Sequence, residues 1–333
     1  MSATQYDVLG IGNAIVDVIA RTEDDFLVSQ GMNKGGMMLI DEPRAQAIYA
    51  AMGPATESSG GSGANTIAGV ASFGARAAFV GKVKDDKLGG AFTHDIRSIG
   101  VTFTTPAAKD GPSTACCYVL VTPDGERTMN TYLGAAQNLT PADLDEQQIA
   151  SAGITYLEGY LWDPPQAKEA FRKAAAIAHG AGRLVALTLS DAFCVGRYRA
   201  EFLNLMRTGA VDLIFANESE LKSLYETSDF DSGAAALRND AKLAVVTRSE
   251  KGCVVISRES NEAVRAAPIS KLVDATGAGD LFAAGFLTGL ARGQDHRTAA
   301  QLGALAAAEV IQHIGARPQT SLKALAQQNG LPV

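Results

Sequence analysis

The middle of the chain alternates short apolar, β-branched segments with segments of helical pattern, and this alternation constrains the fold most. The predicted strands are Ile154–Leu157, Leu184–Leu189, Val211–Phe215 and Leu243–Thr247. The predicted helices between them are about Pro165–His179, Tyr198–Arg207, Glu218–Tyr225 and Ser232–Asp240. Strands that are apolar along their whole length and joined by helices form parallel sheets covered on both faces. The sequence therefore predicts an α/β protein with three layers around a mostly parallel central sheet.

The first third of the chain is less regular. Tyr6–Ile11 and Ala77–Val83 are predicted core strands, and a helix is predicted at about Ala64–Phe73. The segments 18–57 and 101–133 mix polar and apolar residues, and we expect them to form a small β-sheet lid on the main domain.

We expect residues 1–333 to form one domain. The chain contains no internal repeat and no low-complexity linker, and its length suits one large core or two ordinary ones. Towards the C-terminus, residues 277–310 predict two alanine-rich helices joined by a loop at Gly293–Asp295. Helices with such small side chains pack closely.

Composition excludes several classes of function. Lysine and arginine total 29 against 36 aspartates and glutamates, a formal charge of −7, and no basic cluster suits nucleic acid or an anionic membrane. No apolar run reaches the length of a membrane span, and the N-terminal residues lack a signal-peptide pattern. The four cysteines form no C-x-x-C pair, which favours reduced thiols. We therefore expect a cytoplasmic protein that binds neither nucleic acid nor membranes.

The segment Asp274-Ala-Thr-Gly-Ala-Gly-Asp280 directly precedes an apolar run of helical length. Gly277 to Asp280 would then lie at a helix N-terminus, where free N–H groups and the helix dipole bind anionic oxygens. Taken alone, Asp280 equally fits a simple helix cap.

A second glycine cluster, Gly60-Gly-Ser-Gly-Ala-Asn65, opens the predicted helix that follows it. Glycines let a ligand touch the backbone, and Asn65 offers both a donor and an acceptor. A flexible turn between a strand and a helix is the alternative.

Asn217-Glu-Ser-Glu220 follows a predicted strand and begins a helix. Ligands of α/β proteins bind at the carboxyl ends of parallel strands. Asn217 and Glu220 could therefore organise phosphate oxygens and magnesium-bound water, or simply cap the helix.

Two common nucleotide-binding motifs do not apply. The chain has no G-x-x-x-x-G-K-[ST] sequence, which excludes a P-loop. Gly10-Ile-Gly12-Asn-Ala-Ile15 follows a strand but lacks the third glycine of a dinucleotide fingerprint, and Asp17 comes too early for the ribose-binding acid.

Taken in chain order, these motifs resemble the ribokinase-like (PfkB) family of carbohydrate and nucleoside kinases. The matching segments are Gly12-Asn-Ala-Ile-Val-Asp17, Gly60 to Asn65, Asn217-x-x-Glu220 and Asp274 to Asp280, together with the stretch through Gly81-Lys-Val to Gly89-Gly90. The resemblance spans most of the chain. It implies a ribokinase-like three-layer sandwich with a small β-sheet lid.

Within this family the sequence is most similar to adenosine kinases. The segment between Asp17 and Gly60 is long, Ser62 stands where ribokinases commonly have lysine, and Gly125-Glu-Arg127 resembles the lid segment that carries a phosphate-binding arginine. Ala275 departs from the usual threonine. The resemblance implies an ATP-dependent kinase that phosphorylates the 5′-hydroxyl of adenosine, giving AMP and ADP. A ribokinase- or fructokinase-type sugar kinase and a non-catalytic nucleoside sensor remain as alternatives.

The resemblance also assigns catalytic roles. Asp280 would be the general base for the acceptor hydroxyl. The N–H groups of Gly277, Ala278 and Gly279 would stabilise the phosphoryl oxygens. Arg127 would act as an electrostatic clamp from the lid.

On the acceptor side, Asp17 and Asn65 would hold the ribose hydroxyls, assisted by Gly61 and Ser62. A nucleoside base needs a flat apolar slot. The candidates for this slot are Met37, Met38, Tyr160, Leu161, Trp162 and Phe193. The alternative for Tyr160 and Trp162 is packing beneath the following helix.

On the donor side, the resemblance implies contacts with ATP. The expected ATP-binding residues are Asn217, Thr247, Gly252, Gly277 and Gly279. Glu220 and Asn217 would hold Mg²⁺, mostly through water. Carbonyls near Asp274, Thr276 and 313–315 could hold K⁺. Relatives of this kind are monomers or homodimers, and the sequence leaves both open.

Overall fold

The structure is a computed structural model that describes residues 4–333. In chain order its strands are β1 (Tyr6–Ile11), β2 (Ile15–Arg21), β3 (Met37–Leu39), β4 (Ala55–Gly60), β5 (Ala77–Val80), β6 (Thr102–Phe103), β7 (Ala115–Val121), β8 (Arg127–Tyr132), β9 (Ala152–Glu158), β10 (Leu184–Thr188), β11 (Leu213–Asn217), β12 (Leu243–Thr247), β13 (Cys253–Ser257) and β14 (Asn261–Val264).

The α-helices lie between and after these strands. They are α1 (Asp24–Ser29), α2 (Glu42–Ala51), α3 (Ser62–Ser72), α4 (Lys87–Ser98), α5 (Glu146–Ala150), α6 (Pro165–Gly180), α7 (Ala192–Arg207), α8 (Glu218–Tyr225), α9 (Phe230–Asp240), α10 (Ala278–Ala291), α11 (His296–Val310) and α12 (Leu322–Gln328).

The strands form two sheets. The large sheet has the order β14-β13-β12-β11-β10-β9-β1-β5-β6. Its strands from β6 to β12 pair in parallel, whereas β13 pairs antiparallel with both β12 and β14. The small sheet has the order β3-β8-β7-β2-β4. The α/β fold class predicted from the sequence is confirmed.

Alternate residues of the large sheet face opposite helical layers. Val8 and Phe79 belong to a buried cluster with α3, α10 and α11, whereas Leu9 and Val80 belong to one with α6 and α7. Because the strands are covered on both faces, their residues are apolar throughout, and this explains why the sequence shows near-continuous apolar runs.

The helices α10 and α11 pack closely through glycines. A Cβ atom on Gly285 would lie 2.4 Å from the carbonyl carbon of Leu302, and one on Gly303 would lie 2.6 Å from the carbonyl oxygen of Phe282. A side chain at either position would separate the helices. This close packing fixes the axis of α10, whose first turn faces the small sheet across a cleft.

The small sheet differs in extent from the predicted lid. It includes β2 from Ile15 and β4 up to Gly60, so its first segment exceeds the predicted bounds of 18–57 at both ends. The predicted second segment begins too early, because Thr102–Phe103 pairs with β5 in the large sheet. The polar end of β4, Ser58-Ser-Gly60, obscured its boundary in the sequence.

The four cysteines are buried and unpaired. Within residues 4–333, no helix combines the length and the apolar character needed to cross a membrane.

Candidate active site

A cleft of about 1550 Å³ lies between the small sheet and the carboxyl ends of the parallel strands. Glu158, Thr188, Asn217 and Thr247, which end β9 to β12, line one side. The first turns of α3 and α10 also reach this cleft. Of the residues predicted to be catalytic or to bind the acceptor or ATP, all but Leu161 and Trp162 line it. The topology therefore collects motifs that lie far apart in the sequence.

The residue that precedes α10 is a glycine in the left-handed region. Gly277 has a φ of 80°, and a Cβ atom there would lie 2.8 Å from Cα of Ala316. Among the described residues no side chain caps this helix end. The N–H of Ala278 donates to the carbonyl of Ala275 at 3.2 Å. Contrary to the expectation from the sequence, this N–H is therefore not free to bind a phosphoryl oxygen. First-turn amides otherwise lack helical acceptors and can bind anionic oxygens.

Asp280 lies in this first turn and faces two polar side chains of α3. Its Oδ1 accepts a hydrogen bond from Oγ of Ser62 at 2.6 Å, and its Oδ2 accepts one from Nδ2 of Asn65 at 3.4 Å. Burial raises the pKa of the Asp280 carboxyl to about 6, while both hydrogen bonds and the charge of Arg317 lower it. Asp280 is therefore a carboxylate near neutral pH, with a stronger basicity than an exposed aspartate.

Asp17 lies on β2 and faces the same end of the cleft. Its carboxylate contacts the backbone of the neighbouring strand so closely that a Cβ on Gly60 would lie 2.4 Å from Oδ2. Burial raises the pKa of Asp17 to about 6, and the charge of Asp280 adds to this rise. The two carboxylates therefore interact across the site.

Arg127 begins β8 and forms an ion pair with Asp274. The two side chains are only 10% and 7% exposed. Asp274 also accepts hydrogen bonds from the N–H groups of Thr276 at 3.0 Å and Gly315 at 3.1 Å. Arg127 thus connects the small sheet to the loop that precedes α10.

Asn217 and Glu220 form a capping box at the start of α8. The N–H of Glu220 donates to Oδ1 of Asn217 at 2.9 Å, and the N–H of Asn217 donates to Oε2 of Glu220 at 3.0 Å. Burial raises the pKa of Glu220 to about 7. The capping interpretation is confirmed. The pair also lines the cleft, and its role in binding phosphate and magnesium-bound water stays a prediction.

Thr247 and Gly252 lie at the turn between β12 and β13 and line the cleft beyond α8. Gly252 has a φ of 83°, and a Cβ there would lie 2.1 Å from the carbonyl oxygen of Val264. Only glycine therefore fits this turn.

Apolar and aromatic side chains from both sides border the cleft. Met37 and Met38 on the small sheet are 52% and 43% exposed, and Tyr160 and Phe193 on the main domain are 38% and 70% exposed. These four side chains are therefore accessible from the cleft, and their contact with a nucleoside base stays a prediction.

The prediction for Trp162 is wrong, and the same holds for Leu161. Both side chains are fully buried and neither lines the cleft. The Nε1 of Trp162 donates to Glu201 at 3.0 Å, and its ring lies 5.9 Å from those of both Phe171 and Phe202. The short 3₁₀ turn Gly159–Trp162 directs Trp162 beneath α6, which is the alternative that the sequence left open.

Sequence reasoning missed Glu158, which is 1% exposed and ends β9. It accepts hydrogen bonds from the backbone N–H and the Nδ2 of Asn13, at 3.1 and 2.7 Å, and from the N–H of Gly63 at 2.8 Å. Burial raises the pKa of Glu158 to about 7, although these hydrogen bonds lower it. Its position directly after a buried strand was the available signal.

Sequence reasoning also missed Arg317, in the loop after α11. Its Nε donates to Oδ1 of Asn65 at 2.9 Å. A single arginine in an irregular segment carries no pattern that marks it as functional.

Comparison with known proteins identifies the family. The model of the family described as pfkB family carbohydrate kinase matches residues 47–323. The chain belongs to this family. The resemblance inferred from the motifs is therefore confirmed, and the protein is a phosphotransferase that acts on an alcohol group.

Solved structures of high identity share the whole fold. The adenosine kinase from Sinorhizobium meliloti is 55% identical, with a TM-score of 0.91 over 98% of this chain and 99% of that chain. A probable sugar kinase from Rhizobium etli CFN 42 is 52% identical, with a TM-score of 0.92 over 99% and 100% of the two chains.

Two curated relatives extend these similarities. The adenosine kinase of Saccharomyces cerevisiae is 27% identical over 328 residues, which cover 92% of this chain and 94% of the yeast protein. Fructokinase-1 of Oryza sativa is 31% identical over 260 residues, which cover 76% and 80% of the two chains. This pfkB kinase is therefore similar both to adenosine kinases and to fructokinases.

Proposed function

We propose that this pfkB kinase transfers the γ-phosphate of ATP to the 5′-hydroxyl of adenosine, giving AMP and ADP. The observation that carries the proposal is the placement of Asp280 and Asp17 at the same end of one cleft. One carboxylate is needed beside the reacting hydroxyl and the other beside the hydroxyls that orient the sugar. The 55% identity to the Sinorhizobium adenosine kinase supports a nucleoside as acceptor.

Asp280 is the general base of the reaction. It accepts the proton of the 5′-hydroxyl while that oxygen attacks the γ-phosphorus and the bond to the leaving ADP breaks. The hydrogen bond from Ser62 holds the carboxylate in place. A pKa near 6 keeps most of the carboxyl ionised at neutral pH and makes it a better base than an exposed aspartate.

The start of α10 stabilises the transferred phosphoryl group. Charge develops on its oxygens, and the N–H groups of Gly277 and Gly279 supply donors that need no reorganisation. Arg127 adds positive charge from the small sheet. Its ion pair with Asp274 places it beside the loop that leads into α10.

Asp17 and Asn65 bind the 2′- and 3′-hydroxyls of the ribose, with Gly61 and Ser62 beside them. A carboxylate that accepts from vicinal hydroxyls favours ribose over deoxyribose, because a missing hydroxyl leaves a buried acceptor unpaired. Met38 and Tyr160, together with Met37 and Phe193, contact the base. Their apolar surfaces suit a flat ring.

ATP binds along the ends of β11 and β12, where Asn217, Thr247 and Gly252 line the cleft. The volume of about 1550 Å³ accommodates two ligands, since a single small-molecule site has about 300–1000 Å³.

The residues present fit a hydrated Mg²⁺. Within the described chain, no group of three or more histidine, cysteine, aspartate or glutamate side chains could hold a metal ion, which suits a metal held mainly by phosphates and water. The oxygens of Glu220 and Asn217 accept bonds within their capping box but retain free lone pairs for metal-bound water. When bound, Mg²⁺ neutralises charge on the phosphates.

K⁺ would be held by backbone carbonyls near Asp274, Thr276 and residues 313–315. The hydrogen bond from the N–H of Gly315 to Asp274 supports this placement, because it brings the two segments together.

A sugar kinase is the second candidate, favoured by the fructokinase relatives. It shares the base, the glycine-rich helix start and the donor site, and it differs in not needing the apolar slot. A non-catalytic sensor is less favoured, because a protein that only binds does not need a basic carboxylate at Asp280.

The deciding experiment measures ADP release from ATP and Mg²⁺ with adenosine, inosine, guanosine, ribose and fructose as acceptors. We expect the highest kcat/KM with adenosine. Asp280→Asn should lower kcat by about 10²–10⁴-fold while adenosine still binds. Asp295→Asn is the matched control, because Asp295 is exposed and caps α11.

Two results would contradict the proposal. A higher kcat/KM with ribose or fructose than with adenosine would support the sugar kinase. A wild-type protein that binds adenosine but shows no turnover with any acceptor would support the sensor.

A further inference from the structure

Arg317 connects the C-terminal loop to the acceptor side of the cleft. Its Nε donates a 2.9 Å hydrogen bond to Oδ1 of Asn65, although 252 residues separate the two in sequence. The preceding residue, Ala316, is packed against the start of α10, since a Cβ on Gly277 would lie 2.8 Å from it. Arg317 is thus held between the helix that carries Asn65 and the one that carries Asp280.

This contact fixes the orientation of the Asn65 amide. A guanidinium has five N–H donors and no acceptor, so only the carbonyl oxygen of Asn65 can face it. The Nδ2 of Asn65 must then point the other way, and it donates to Oδ2 of Asp280 at 3.4 Å. A flipped amide would place two donors against each other and lose both hydrogen bonds.

Arg317 also has an unused donor. Its Nη2 is buried and has no hydrogen-bond partner within residues 4–333. A buried guanidinium nitrogen without an acceptor costs free energy. Because Arg317 lines the cleft, either ordered water or an oxygen of a bound acceptor can satisfy this donor.

We propose that Arg317 is a positioning residue for phosphoryl transfer, which sets the direction of the Asn65 amide and supplies a further donor to the acceptor sugar. This inference rests on the proposed function, in which Asp280 is the base and Asn65 binds the ribose.

The fixed amide determines which hydrogen bonds the site offers to the sugar. Asn65 presents an N–H donor, because its oxygen points towards Arg317, whereas the ionised Asp17 presents only acceptors. One ribose hydroxyl therefore accepts from Asn65 and the other donates to Asp17. A pocket with one donor and one acceptor selects a vicinal diol over a deoxyribose.

The charge of Arg317 acts on the same carboxylates. It lowers the pKa of both Asp280 and Asp17, and Asp95 on α4 also faces it. The other titratable groups that interact with Asp280 are Tyr156, Glu158 and Tyr160, at β9 and the turn after it, and Asp17 on β2. Among these titratable groups, Arg317 is the one that carries a positive charge beside Asp280.

The test compares Arg317→Gln and Arg317→Lys with the wild type. Glutamine removes the charge, and lysine keeps the charge but replaces the planar guanidinium by a single ammonium. Arg292→Gln is the matched control, because Arg292 also has a buried nitrogen without a partner in the described chain but lies at the far end of α10. Folding of each variant is checked by thermal unfolding, and kcat and KM are measured from pH 5 to pH 9.

We expect Arg317→Gln to raise KM for adenosine and lower kcat, each on the order of tenfold. The acid limb of its kcat/KM profile should move to higher pH, because Asp280 then binds its proton more tightly. Arg317→Lys should restore the position of this limb but not KM. The preference for adenosine over 2′- and 3′-deoxyadenosine should shrink for one of the two deoxynucleosides, whereas Arg292→Gln should change none of these quantities.

The outcomes separate this inference from the proposed function. Wild-type protein without turnover on adenosine would count against the proposed function itself. An active wild type whose Arg317→Gln and Arg317→Lys variants keep the same KM, pH profile and deoxynucleoside preference would overturn the role of Arg317 alone. If Arg317→Gln does not fold, KM and the deoxynucleoside preference of Arg317→Lys decide the question.

Discussion

The Oγ of Ser62 donates a 2.6 Å hydrogen bond to Oδ1 of Asp280, across 218 positions of sequence. Ser62 is the first residue of α3, and Asp280 lies in the first turn of α10. Two helix N-termini thus meet at one carboxylate, which brings their positive dipole ends to the same place. This meeting places the proposed base beside two helix ends that can bind anionic oxygens.

The rate should depend on the ionisation of Asp280. Its folded pKa of about 6 lies above the ordinary 3.8 because of burial, and only the ionised carboxylate accepts a proton. We expect kcat/KM to rise with pH through about 6 and to fall towards tenfold per pH unit below it. A profile of kcat/KM from pH 4.5 to pH 9 checks this. An unchanged value down to pH 5 would argue against Asp280 as the base.

The same raised pKa predicts the pH dependence of stability. Because the folded state binds the Asp280 proton more tightly than the unfolded state, this group favours folding most at low pH, and the contribution is lost as the pH rises through about 6. At pH 8 we expect Asp280→Asn to unfold at a higher temperature than the wild type, with the difference shrinking at pH 5. Thermal unfolding at both pH values measures this. A lower unfolding temperature of the variant at pH 8 would contradict it.

Substitution by alanine should affect stability differently at Gly277 and at Gly279. Gly277 has a φ of 80° and close contact with Ala316, so Gly277→Ala should lower the melting temperature. A Cβ on Gly279 would meet no atom within 4 Å, so Gly279→Ala should leave stability equal or up to about 1 kcal/mol higher. Under the proposed function its kcat should nevertheless fall, because the added methyl group would occupy the space assigned to the phosphoryl oxygens. Thermal unfolding and ADP release, compared for both variants, test this separation, and full activity of Gly279→Ala would refute it.

The Arg127–Asp274 ion pair should contribute to stability as well as to catalysis. Removing one partner of a buried pair costs about 3–5 kcal/mol, since it leaves the other charge unpaired. The two N–H donors on Asp274 should reduce this cost. We expect Arg127→Gln to lower the free energy of unfolding in urea by about 2–4 kcal/mol.

Lys34→Gln provides the control for this variant. Lys34 also forms ion pairs near the small sheet, with Asp24 and Asp124, but they are exposed. Exposed ion pairs contribute little to stability, so this variant should unfold like the wild type. Equal destabilisation by both variants would show that burial of the Arg127 pair has no special effect.

Substitutions of Tyr160 and Trp162 should have different effects, the first on adenosine binding and the second on stability. Tyr160 lines the cleft, so Tyr160→Ala should raise KM for adenosine several-fold, by loss of about 1 kcal/mol of contact with the base. Trp162 is packed in the core and bonded to Glu201, so Trp162→Phe should lower the melting temperature and leave KM unchanged. Steady-state kinetics and thermal unfolding of both variants distinguish these effects. A large KM change in Trp162→Phe alone would reverse the assignment.

Much of the fold could be predicted from local sequence. The predicted bounds of Tyr6–Ile11, Glu218–Tyr225 and Leu243–Thr247 agree with those of β1, α8 and β12. Apolar runs, capping residues and glycines determine the structure of residues within a few positions of them. Elements that depend on these features can therefore be predicted from the sequence. The small sheet was harder to predict, because its strands mix polar and apolar residues and their pairing joins segments that are distant in sequence.

The sequence by itself determined where the candidate site residues occur along the chain. The motifs at 60–65, 217–220 and 274–280 mark a strand end or helix start, and backbone chemistry there depends on neighbouring residues. The tertiary structure alone decided which groups meet. In the folded protein the side chain of Trp162 lies in the core. Arg317 contacts Asn65, and Arg127 contacts Asp274. The direction of a side chain depends on the packing of elements that are distant in sequence, and no local pattern encodes that packing.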